Sequence, residues 1–125
     1  MSTSHRPTDI KLHKRSRTLE LTYPDGSFEL TAEFLRVHSP SAEVRGHGIG
    51  NGTLQTGKKF VGINELIPAG NYALKIVFDD GHDSGLYTWD YLYELCQQHD
   101  KYWELYLANL KQSGGSRDKG LISFK

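Results

Sequence analysis

Apolar side chains recur at every second position in residues 18–23, where Leu19, Leu21 and Tyr23 fall on one face. That alternation predicts a half-buried strand, and residues 9–12 predict a shorter one before it. Tyr23-Pro24-Asp25-Gly26-Ser27 reads as a turn, with Pro24 presetting φ for the first central position. A third strand follows through Phe28 and Leu30. Thr31 is suited to cap a short helix over 32–37, which Pro40 stops from continuing. Residues 45–55 carry Gly46, Gly48, Gly50 and Gly52 two apart, a spacing that predicts a surface loop. Two further strands, 61–67 and 72–78, are joined by the turn Pro68-Ala69-Gly70-Asn71. In the second of them Tyr72, Leu74, Ile76 and Phe78 share a face. Asp80-Gly81 turns the chain into a last short strand through Leu86 and Tyr87.

The period then changes. Thr88 caps a helical region in which Trp89, Leu92, Tyr93 and Cys96 lie at i, i+3, i+4 and i+7. After a polar interval over 97–101, Trp103, Tyr106, Leu107 and Leu110 form a second stripe. Two consecutive helices or one kinked helix are expected, ending before Gly114-Gly115. Strands first and helices last make an α+β domain. Its expected form is a twisted antiparallel sheet of short strands and hairpins packed against C-terminal helices, with one short helix in the N-terminal half. Residues 1–8 read as a disordered lead-in, 9–112 as the single domain and 113–125 as a flexible tail.

Charge narrows the function classes. Fifteen basic and fifteen acidic residues cancel over 125 residues, so no field of one sign draws in nucleic acid or anionic lipid. The basic run Lys11-Leu12-His13-Lys14-Arg15-Ser16-Arg17 reads as a solvated hairpin rim. No apolar run approaches the roughly 20 residues of a membrane helix, and the polar N-terminus does not resemble a secretory leader. The single cysteine, Cys96, rules out an internal disulfide and a thiolate zinc cluster within one chain. A cytoplasmic protein is expected.

Candidate chemistry is sparse. Gly52-Thr53-Leu54-Gln55-Thr56-Gly57-Lys58-Lys59 approaches a phosphate-binding loop, but Lys59 stands where a magnesium-holding hydroxyl is required and a strand, not a helix, follows. His38, His47 and His82, with Asp80 nearby, could supply a mixed nitrogen–oxygen site for zinc or iron. The sequence has no His-x-His and no His-Glu-x-x-His to support it, so the principal expectation is no metal and no cofactor. His5, His13 and His99 read as surface residues. Ser84, His82 and Asp80 are the residue types of a triad, but so local a cluster rarely has triad geometry. Cys96 lies on the apolar stripe and reads as a core residue.

Two segments carry a family likeness. Leu35-Arg36 followed by Ser39-Pro40-Ser41, and Asp80-Gly81-His82-Asp83-Ser84-Gly85-Leu86-Tyr87-Thr88-Trp89, resemble the gamma-butyrobetaine hydroxylase-like N-terminal domain. Free-standing bacterial members are known as domain of unknown function 971. The likeness covers roughly residues 9–110. In the hydroxylases this domain precedes an iron and 2-oxoglutarate catalytic domain and binds a structural zinc through three cysteines and a histidine. Those positions fall here on Ser39, Ser41, Val44 and His82, so the resemblance implies a scaffold without its zinc ligands. No His-x-Asp pair offers the start of a facial triad.

The expected function is therefore a non-enzymatic accessory module that binds a protein partner. Its candidate rim is His82, Asp83, Tyr87, Trp89 and His47. The alternative, drawn from the domain's company with iron–sulfur carrier proteins, is metal or cluster handling through His38, His47 and His82. Family analogy also admits a homodimer, with no heptad in the sequence to form its seam.

Overall fold

The computed structural model describes residues 6–40 and 55–117. Two antiparallel sheets of three strands form the framework, in the orders β1-β2-β3 and β4-β5-β6. The first consists of β1 (Asp9–His13), β2 (Thr18–Tyr23) and β3 (Gly26–Thr31). The second consists of β4 (Ile63–Ala69), β5 (Ala73–Phe78) and β6 (Leu86–Thr88). Helix α1 (Ala32–Val37) follows β3, and α2 (Trp89–Gln97) and α3 (His99–Ser113) close the chain. The α+β layering is as expected, but the strands divide between two sheets rather than joining in one.

Local chemistry accounts for the joints. The Thr31 side chain accepts from the Phe34 N–H and the Thr88 side chain from the Tyr91 N–H, so both expected N-caps satisfy a donor that the first helical turn leaves orphaned. Gln98 separates α2 from α3, which makes two helices rather than one kinked one, and Gly114 in the left-handed conformation ends the second. One core cluster joins β2, β3, α1, β5, β6 and α2, with Leu19, Leu21, Phe34, Leu35, Ile76, Phe78, Tyr87 and Leu92 all buried. The two sheets therefore enclose a common interior.

Three expectations shift. Pro68 and Ala69 belong to β4, an edge strand, where the missing proline N–H costs no ladder bond. The turn falls later, closed by the Tyr72 N–H on the Ala69 carbonyl, which leaves Tyr72 58% exposed rather than on the core face of β5. On the helices Leu95 is buried although outside the expected stripe, while Leu107 is exposed. Beyond α3, Ser116 and Arg117 bond back to the domain, and residues 118–125 lie outside the described residues. Gly57 N–H donates to Ser116 O, Lys59 N–H donates to Arg117 O, and the Arg117 guanidinium makes two 2.8 Å bonds to the buried Glu33 carboxylate. No helix among the described residues is long and apolar enough to cross a membrane.

Candidate functional site

The corner where α1 ends and the β5–β6 turn begins gathers most of the residues singled out by sequence. Gly81 takes φ +93° there, a conformation that bars most side chains. The reversal carries His82 under the C-terminus of α1, where its Nε2 shares a 2.8 Å hydrogen bond with Ser39 Oγ. Both residues are buried. Gly85 passes so close that a Cβ would collide with the Ser39 hydroxyl. The Tyr87 hydroxyl donates to the Leu35 carbonyl at 2.5 Å, and burial pushes its pKa far up.

Asp80 organises the outer half of the corner. Its Oδ2 accepts from Arg36 Nε at 2.9 Å and from Lys58 Nζ at 2.6 Å, while Oδ1 accepts from the His82 N–H at 3.1 Å. Burial alone would raise this carboxyl. The bonds from Lys58, the His82 N–H and Arg36 outweigh it and hold the pKa down at about 2. Beside this cluster lies a cleft of about 330 Å³ lined by Gly57, Lys58, Phe60, Val61, Asp79 and Asp80. Phe60 stands at its lip, 63% exposed, with the Arg17 guanidinium 5.7 Å and the Lys59 ammonium 5.4 Å from its ring centroid. A smaller cleft of about 210 Å³, lined in part by Arg17, Glu33 and Arg117, adjoins the same ring.

The residues expected to ligate metal lie apart in their bonding. His38 Nδ1 donates to the Phe34 carbonyl at 2.9 Å, and its ring stacks on Tyr102 with centroids 5.8 Å apart. Burial lowers its pKa, and the charge of His99 acts in the same direction against the Phe34 bond. His82 is spent on Ser39 and Asp80 on two cations. Among the described residues these groups do not bring three donor atoms together. His47 lies outside the described residues, as do the four alternating glycines. Of the expected rim, His82, Tyr87 and Trp89 are buried because the turn, β6 and the start of α2 all face the core; Asp83 is exposed. The serine that bonds His82 is Ser39, from the other half of the chain. Burial pushes the Cys96 thiol up to about 12, in keeping with a core residue.

Comparison with known proteins gives these contacts a family setting. Residues 10–93 match the family model described as gamma-butyrobetaine hydroxylase-like, N-terminal. The chain belongs to that family. A protein solved in solution by NMR is 57% identical, with a TM-score of 0.85 over 98% of each chain. A second NMR structure is 47% identical, with a TM-score of 0.78 over 100% of this chain and 97% of the other. A crystal structure from Acidithiobacillus ferrooxidans, of a protein with unknown function in the domain of unknown function 971 family, is 36% identical with a TM-score of 0.62. It covers 75% of this chain and 97% of its own. No curated protein matches the chain.

The zinc corner implied by the family does not suit this donor set. At two of its four positions the chain carries hydroxyl side chains, Ser39 and Ser41, and at a third the hydrocarbon of Val44; the remaining imidazole nitrogen is bonded to Ser39. Ser41 and Val44 lie outside the described residues. His82→Ala, which takes that bond from buried Ser39, is expected to cost about 1–2 kcal/mol in urea unfolding. The same loss is expected with chelator and with zinc. A loss of several kcal/mol confined to zinc-containing buffer would mean that the corner holds the ion.

Proposed function

We infer that this chain is a non-enzymatic accessory module that binds a protein partner at the lip around Phe60. The observation that carries this reading is a phenylalanine ring, 63% exposed, standing between two clefts with basic groups over its faces. A large ring offered to solvent beside a pocket is the kind of anchor around which interfaces concentrate their energy. The charges nearby are mixed: Arg17, Lys58 and Lys59 against Asp79 and Asp80. Mixed signs and a net charge of zero favour a folded or extended protein segment over a polyanion. Among the described residues the larger cleft is lined by neither hydroxyl nor thiol, and the serine bonded to histidine at the corner is 0% exposed, so neither offers a serine- or cysteine-type nucleophile to a substrate.

Photocrosslinking tests the reading. A benzophenone-bearing phenylalanine at position 60 should give one discrete adduct in cells, while the same group at the exposed Leu105 of α3 should not. Equal labelling at both positions, or none at position 60, would overturn it.

A further inference from the structure

Away from the corner, the solvent face of the first sheet assembles a second set of donor atoms. Glu20 on β2 and Glu29 on β3 stand directly opposite each other, and Lys11 on β1 stands opposite Glu20. His13, two residues along β1 from Lys11, leans across the same face. Its Nε2 lies 2.9 Å from Glu20 Oε1 and 3.8 Å from Glu29 Oε2. One donor atom from each of the three residues falls within 4.8 Å of the other two, the one such set found among the described residues. Like charges directly opposite in a ladder repel, and the ion pairs of both carboxylates among the described residues run to His13.

We propose that His13, Glu20 and Glu29 form a surface site for a divalent transition metal of the zinc class. Donors held about 2.0–2.2 Å from a tetrahedral ion sit roughly 3.3 Å from one another, and the two observed separations bracket that distance. One imidazole nitrogen and two carboxylate oxygens make a borderline donor set, which favours zinc or its neighbours over the oxygen-loving magnesium and calcium. Water completes the coordination on the open side of the sheet. The ion relieves the repulsion between Glu20 and Glu29 and ties three strands together at their solvent face. Register fixes the donors: each comes from a different strand of one hydrogen-bonded ladder, so no loop has to close for them to meet.

Calorimetric titration of the full chain with zinc chloride, alongside melts in zinc, magnesium and chelator, tests the site. The wild type is expected to bind one zinc per chain and to melt higher in zinc but not in magnesium. His13→Gln, Glu20→Gln and Glu29→Gln should each weaken binding about tenfold or more. Glu29→Gln should at the same time melt no lower than wild type in chelator, because it removes a like-charge pair. His82→Ala should leave zinc affinity unchanged, and amide shifts on adding zinc should centre on β1, β2 and β3. Binding well below one equivalent, or affinity that all three variants leave within about twofold, would overturn the proposal.

Discussion

Trp89→Ala is expected to lower the unfolding free energy by about 3–5 kcal/mol. Trp89 opens α2 and is only 4% exposed, packed into the core that both sheets share. Its Nε1 donates to the Asn71 carbonyl at 2.7 Å, and its backbone N–H donates to Tyr72 O at 3.2 Å. The ring thus pins the β4–β5 turn to the start of the helix. Truncation leaves a cavity and strips the Asn71 carbonyl of its indole donor, two costs that add. Trp89→Phe should recover most of the packing and forfeit the hydrogen bond, a net loss of about 1–2 kcal/mol. Urea unfolding followed by far-ultraviolet circular dichroism measures both. A loss under about 1 kcal/mol for the alanine variant would show that the ring is not a core element.

Asp80→Ala is the second large effect, at about 3 kcal/mol. Its carboxylate is 20% exposed and Arg36 only 9%. Removing the acid leaves a buried guanidinium whose Nη1 already lacks a hydrogen-bond partner, together with Lys58 and the His82 N–H. Breaking a fully buried pair costs about 3–5 kcal/mol, and the partial exposure here places the value at the lower end. The same carboxylate predicts an acid limb. Its folded pKa, about 2, lies below its ordinary value of 3.8. The stabilisation is therefore complete above pH 3.8 and is lost as pH falls through 2. The shift corresponds to about 2 kcal/mol before screening at the exposed edge is discounted. Unfolding free energies measured between pH 2 and pH 5 should fall less steeply in Asp80→Asn than in wild type. Parallel curves would mean that Asp80 is not the group responsible.

The corner was legible in part. Asp80-Gly81-His82 reads as a turn, and the turn is there, because glycine and aspartate encode local geometry. That His82 would meet Ser39 rather than Ser84 could not be read, since the bond joins residues 43 positions apart. The burial of Tyr87 and Trp89 was hidden for a related reason. Tyr87 and Trp89 are as apolar as an interface anchor and as a core residue, and composition does not separate the two. Phe60 escaped notice for the converse reason: nothing in Lys58-Lys59-Phe60 says that the ring is left outside. His13, read as a surface residue, gains its neighbours Glu20 and Glu29 only through strand register.

Periodicity by itself settled where strands give way to helices, which side chains cap them, and that β2 and β5 face an interior. These are properties of residues a few positions apart, and their physics acts over that range. The division into two sheets, the clamp of Arg117 on Glu33, the pairing of Ser39 with His82 and the grouping of donors on the first sheet were decided by tertiary structure alone. Each depends on which distant segments come to lie side by side. That choice is made by the burial of the whole apolar surface at once, and no short window of sequence contains it.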